Sequence, residues 1–227
     1  METEELKYFH YEYTIRELEN WFMEIINSYR RWADFQYEWQ SLRQQSVRKL
    51  VFPFPYREGQ KELVTYVYQT IYHRKKLFIE APTGVGKTIS TVFPSIKAMG
   101  EGKGQRIFYL TAKTITRTVA NDTLELLRKQ MLRLKSVTLT AKDKICFMEE
   151  TECNPVDCPY AKGHFDRIND AIYDLLIHED NFSREKIEEY AARHKVCPFE
   201  MSLDMSLFAD MIICDYNYLF DPHAVSY

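Results

Sequence analysis

The chain has 227 residues, enough for one or two compact domains with a real core. Its 45% apolar and 28% charged residues are those of a globular protein, not of a disordered chain. No apolar run reaches the roughly 20 residues that a membrane helix needs, and the charged start METEELKYFH carries no apolar signal segment. A cytoplasmic protein without a membrane partner is therefore expected. The net charge of −3 hides an asymmetry. Residues 51–100 carry 7 basic and 3 acidic side chains, residues 101–144 carry 10 and 4, and residues 145–227 carry 6 and 17. The middle of the chain is a candidate polyanion-facing surface, unless its charge simply solvates one face.

Residues 1–50 contain neither glycine nor proline. Thr14 followed by Glu17 forms a capping-box signature. Leu18, Trp21, Ile25, Tyr29, Trp32, Phe35, Trp39 and Leu42 then recur at spacings of three and four. This pattern predicts one long amphipathic helix ending near VFPFP (51–55), whose aromatic stripe packs as a spacer or brace. KELVTYVYQTIY (61–72) reads as a helix and KLFIEA (76–81) as a short strand. The loop PTGVG leads into a helix from about Lys87 to Met99, with Gly100 as its C-terminal cap. RIFYLT (106–111) and SVTLTA (136–141) read as strands on either side of a helix from Thr116 to about Met131. That rhythm predicts an α/β fold with a parallel sheet and right-handed crossovers. The segment from about 144 to 200 interrupts it with helices near 167–177 and 184–194, the second capped by Ser183. ADMIICD (209–215) then returns as a strand.

EAPTGVGKT (80–88) is the strongest chemical signal. A strand that delivers a tight glycine loop to a helix N-terminus aims free backbone N–H groups and the helix dipole at a polyphosphate. Gly84 and Gly86 allow close backbone approach, Lys87 reaches the β- and γ-phosphates, and Thr88 ligates Mg²⁺. Ala81, Pro82, Thr83 and Val85 complete the candidate ATP loop. Ala81 stands where the generic pattern has glycine. About twenty residues upstream, in FPYREGQ (54–60), the Gln60 amide is a candidate for reading the two-sided edge of adenine, with Tyr56 and Arg57 nearby.

Four of the five cysteines follow the pattern Cys146-x6-Cys153-x4-Cys158-x38-Cys197. Five cysteines in a cytoplasmic chain point to metal or reactive thiols more than to disulfides. The gaps do not match the Cys-x2-Cys pairs of common zinc ribbons, and proline follows both Cys158 and Cys197, as it does in some iron–sulfur runs. A 4Fe–4S cluster, a structural zinc ion and unliganded core cysteines are the three readings. Cys214, on an apolar strand, reads as a buried small residue.

FPYREGQ, EAPTGVGKT, YLTAKTITRT (109–118), the four-cysteine insert closing with CPFE and the stretch ADMIICDYNYLFDP come in one order. That order resembles the iron–sulfur superfamily 2 DNA helicases of the XPD and DinG kind, bacterial DinG-like members above all, over about residues 50–222. The resemblance implies a helical connector (1–50), the first part of a RecA-like, ATP-binding P-loop domain (51–143) and a mostly helical cluster domain (144–200). Residues 201–227 would return to the motor domain. It implies ATP, Mg²⁺ and a 4Fe–4S cluster as cofactors, the cluster on Cys146, Cys153, Cys158 and Cys197. Thr111, Lys113, Thr114 and Arg117 would contact single-stranded DNA, along which the family moves 5′-to-3′ in repair or replication. A second RecA-like domain, and in some relatives an upstream nuclease-like domain, would be the partners. No Asp-Glu-x-His sequence occurs in the chain, so no catalytic residue is assigned. The expectation is an N-terminal fragment that binds ATP and the cluster without unwinding DNA by itself. A non-catalytic single-strand-binding module and a zinc-stabilised P-loop protein are the alternatives.

Overall fold

The computed structural model describes residues 8–220, the Thr114 side chain excepted. The chain divides after Ser41 into two compact units. Helix α1 (Ile15–Lys49) begins in the first and ends in the second. Its start is the expected capping box. Glu17 Oε2 accepts from the Thr14 N–H at 2.7 Å, and the Thr14 hydroxyl accepts from the Glu17 N–H at 3.3 Å. The Thr14 N–H, and then the Thr14 hydroxyl, which donates to the same oxygen at 2.8 Å, hold the Glu17 carboxyl below its ordinary value. In the first unit Leu18, Trp21, Ile25 and Tyr29 are exposed, and Phe35 stacks on Trp39.

The second unit contains α2 (Gln60–Tyr72), α3 (Lys87–Gly100), β1 (Ile107–Thr111), α4 (Thr114–Arg128) and β2 (Ser136–Thr138). There follow α5 (Lys142–Ile145), α6 (His164–His178), β3 (Asn181–Phe182), α7 (Arg184–His194), α8 (Pro198–Ser206), β4 (Met211–Asp215) and α9 (Asn217–Phe220). The sheet is parallel, in the order β1-β4-β2-β3. Met211 sits opposite both Ile107 and Ser136, so the three longer strands start level. On one face Ile107, Tyr109, Met211 and Ile213 pack against Ile89, Val92, Phe93 and Ile96 of α3 and Ala120, Leu124 and Leu127 of α4. None of the described helices is long and apolar enough to cross a membrane.

Three expectations change. Residues 76–81 form no strand. A strand is made by its partners as much as by its composition, and none of the four strands pairs with this segment. Phe78 is 92% exposed. Gly100 is the last residue of α3, not a left-handed cap; that conformation falls to Gly102 (φ 75°). Gly100 is needed for closeness, because a Cβ there would lie 2.4 Å from Val47 Cγ1. The cysteine-bearing segment also gives β3 to the sheet edge, beside β2. A two-residue strand is too short for any periodicity to reveal it.

At the end where the strands begin, charges are buried together. Lys135 is 1% exposed. Its ammonium donates to Glu179 O at 2.8 Å and Asp180 Oδ1 at 3.3 Å, and its backbone N–H donates to Asp210 Oδ2 at 2.9 Å. Arg133 donates to both oxygens of Asp180, and Arg43, near the end of α1, pairs with Asp210. In the same unit, Lys97 of α3 donates to the carbonyls of Val47 and Leu50, at and just beyond the end of α1.

Removing one partner of a buried ion pair strands the other charge, at a cost of roughly 3–5 kcal/mol. Asp180→Ala is accordingly expected to lower the urea midpoint by that order of stability, several times more than Glu188→Ala on the exposed face of α7. Burial also pushes Lys135 down from 10.5 to about 8, against the attraction of Asp180. The folded state then holds this proton less tightly than the unfolded chain, so stability rises as pH climbs from about 8 towards 10.5. Lys135→Met should flatten that rise in unfolding curves taken across the window.

Candidate nucleotide site and cysteine cluster

The glycine loop is held from behind. Gly84 (φ 86°) and Gly86 (φ 79°) both adopt the left-handed conformation that side chains disfavour, and Gly86 hands the chain to α3. Gln60, the first residue of α2, is only 3% exposed. Its Nε2 donates to Val85 O at 2.9 Å, and its Oε1 accepts from the Arg57 N–H at 3.1 Å. The Arg57 guanidinium donates to Gly84 O. A Cβ at position 86 would lie 2.7 Å from Gln60 Nε2, so Gly86 is fixed both by backbone conformation and by the amide behind it.

The sequence singles out Gln60 for adenine. In this structure both ends of its amide are engaged by the chain itself, and its visible work is to shape the loop. Lys87 is exposed at the N-terminus of α3, and its Nζ donates to Ala81 O at 2.7 Å across the mouth of the loop. Pro82, Thr83 and Gly84 are exposed, and Thr88 is half-buried one residue into the helix. The helix N-terminus, left-handed glycines and neighbouring ammonium together form a cradle for phosphate oxygens. A cavity of about 660 Å³ lies beside the loop, between α2 and residues 77–82, lined by Tyr66, Leu77, Ile79 and Pro82 among others.

The candidate single-strand contacts follow β1. Thr111 is buried, and its hydroxyl accepts from the Lys113 N–H at 3.2 Å, which turns the chain into α4. Lys113 is exposed at the N-cap of α4. Thr114 opens that helix, and its side chain lies outside the described residues. Arg117 is already occupied: its guanidinium lies 3.6 Å from Asp215 and donates to Leu139 O at 3.3 Å, tying together the ends of β4 and β2. The family resemblance assigns it to phosphate contact, and the carboxylate that engages it here lies 98 residues further on (215 − 117), beyond the reach of local sequence reading.

Cys146 is the C-cap of α5 and Cys197 the N-cap of α8, while Cys153 is exposed and Cys158 is buried in the turns between α5 and α6. Lys142 links them. Its ammonium is raised first by a hydrogen bond to the Cys153 thiol and also by the charges of Glu200 and Cys197. Burial pushes the Cys197 thiol up; the Glu200 and Phe199 N–H groups act in the opposite sense, and Cys146 is near enough to add to the rise. Among the described residues no three His, Cys, Asp or Glu side chains draw in tightly enough for a single metal ion. Cys214 is buried on β4 and is pushed up to about 11 by that burial, as suits an inert core thiol.

Residues 58–158 match the DEAD/DEAH box helicase family model, and residues 122–227 match the DEAD_2 model. Together these matches support a helicase of the XPD/DinG-type superfamily 2 kind. It is 32% identical over 113 residues to a probable ATP-dependent helicase of Methanocaldococcus jannaschii, a match covering 49% of this chain and 17% of that protein. Over 51 residues it is 37% identical to the general transcription and DNA repair factor IIH helicase subunit XPD of Dictyostelium discoideum, covering 22% of this chain and 7% of that one. A solved XPD helicase shares the fold with a TM-score of 0.53 at 18% identity, over 74% of this chain and 29% of that structure. These matches support an ATP-dependent helicase by family, and they span well under two thirds of those relatives' lengths.

The brace behind the helicase loop predicts a measurable loss. Gln60→Ala leaves the carbonyl of half-buried Val85 without its side-chain donor, a penalty of about 1–3 kcal/mol. Binding of a fluorescent ATP analogue, followed by anisotropy, should weaken about tenfold or more. Gly86→Ala, which sets a methyl against the Gln60 amide at positive φ, should weaken it further.

Proposed function

We propose that this chain is the nucleotide-binding part of a helicase that moves 5′-to-3′ along single-stranded DNA, and that it carries a 4Fe–4S cluster on Cys146, Cys153, Cys158 and Cys197. The observation that carries the reading is the preformed phosphate cradle at 82–88, held by Arg57 and Gln60. Gly84 and Gly86 bring backbone N–H groups to the phosphates, Lys87 exchanges Ala81 O for the β- and γ-phosphate oxygens, and Thr88 offers its hydroxyl to Mg²⁺. These residues bind and orient. Hydrolysis in this class further draws on acidic Mg²⁺ ligands and an arginine finger, and no residue described here is assigned those roles.

Lys113 sits exposed on a helix N-terminus after β1, where a nucleic-acid phosphate gains from both the ammonium and the helix dipole. Thr111 shapes that turn, Thr114 adds the first helical N–H, and Arg117 supports it through Asp215. Four thiols on one segment are a soft donor set of the kind that holds an iron–sulfur cluster, and two of them, Cys153 and Cys197, lie near the Lys142 ammonium. A bound cluster would supply a redox-active cross-link between α5, the turns before α6, and α8. The partners inferred are single-stranded DNA, a second RecA-like domain and an upstream nuclease-like domain, in a cytoplasmic protein.

Two measurements test this reading. Iron, acid-labile sulfide and zinc are determined on anaerobically purified protein beside Cys158→Ser. About four iron and four sulfide per chain, with the visible absorption lost in the variant, is the expected result. One zinc and no iron would remove the cluster and leave a zinc-stabilised P-loop protein. Independently, Lys87→Ala should abolish ATP-analogue binding while leaving the metal content unchanged.

A further inference from the structure

Cys197 depends on a side chain from another helix. His164 is the first residue of α6 and is 5% exposed. Its Nδ1 accepts the Cys197 backbone N–H at 3.2 Å, across 33 residues of sequence. A ring nitrogen that accepts carries no proton, so the hydrogen of this neutral imidazole is on Nε2. The ring is placed by its neighbours. Gly163, at φ 68°, turns the chain into α6, and a Cβ there would lie 2.6 Å from the Arg167 guanidinium. Arg167 in turn donates to three carbonyls, Lys162, His194 and Lys195, and so binds the start of α6 to the link between α7 and α8. Lys195 in that link is left-handed (φ 54°), so the turn that presents Cys197 is not a relaxed one.

We propose that His164 is the positioning residue for Cys197, fixing the backbone from which this thiolate reaches the cluster. The proposal rests on the cluster reading above. A ligand with a fixed backbone re-forms its iron–sulfur bond after transient breakage faster than it drifts away, so the bond from His164 lengthens the cluster's lifetime. Metal ligands are commonly oriented by such outer partners, whose loss costs about 10–100-fold in metal affinity. The other three thiols have no comparable imidazole among the contacts described.

The test uses the whole chain, purified without oxygen, with three variants. In His164→Asn the amide oxygen falls near the position of Nδ1 and retains the acceptor. His164→Gln reaches instead towards the position of Nε2, and His164→Leu removes the acceptor. Cluster loss is followed as the decay of visible absorption in excess chelator, with the electron paramagnetic resonance of the reduced cluster as a second readout. His164→Leu and His164→Gln should lose the cluster about tenfold faster than the parent chain and show altered spectra. His164→Asn should stay within about twofold of the parent, at a melting temperature no higher than that of the glutamine variant. Equal decay in all four proteins would overturn the proposal, as would an asparagine variant that decays like the glutamine one; the latter comparison serves even where the leucine variant does not fold. A parent chain without iron would overturn the cluster reading and this proposal together. An iron-loaded parent with equal decay in all variants overturns the proposal alone.

Discussion

A lysine ammonium buried at the foot of the sheet sets the terms for the rest of this fold. Lys135 precedes β2 directly, and its ammonium and backbone are held by residues at the entries to β3 and β4. Asp180 and Asp210 are those entries, and between them lies the chain from β3 to the end of α8. A buried charge tolerates little displacement of its partners, because attraction in a poor dielectric falls away while the desolvation cost remains. The network therefore fixes where the chain returns to the sheet, at β3 and again at β4. Arg43 extends it to the last turns of α1.

At the opposite ends of the strands the same logic appears in gentler form. Arg117 joins β2 and β4 through Leu139 O and Asp215, and Thr111 turns the chain into α4. Parallel sheets present their binding loops at this edge, where helix N-termini also gather. The nucleotide loop has its own support. Arg57 and Gln60 hold the carbonyls of Gly84 and Val85, which leaves the N–H groups turned to the other side. One set of loop atoms is satisfied by the protein, so the complementary set remains for an anion.

Much of this was legible in the residues. The capping box at Thr14 and Glu17, the glycine loop before α3, and the strands around residues 107–111, 136–138 and 211–215 each have a local cause that short spacings record. The helicase family was equally legible, because its motifs are runs of adjacent residues in a set order. What escaped was non-local. Residues 76–81 have a strand's composition and no partner, and β3 has a partner and almost no composition. Gly100 reads as a cap until Val47 is seen against it.

The sequence alone determined that a glycine loop opens a helix at 82–88 and that four cysteines share one segment. Those facts depend on bond geometry and on side-chain type, both of which act over a few residues. Tertiary structure decided which side chains are free to act. It turned Gln60 inward to the loop, took Arg117 away to Asp215, and set His164 against Cys197. A polar group binds a ligand or a neighbour according to what lies within about 3 Å of it, and that distance is fixed by packing between segments far apart in the chain.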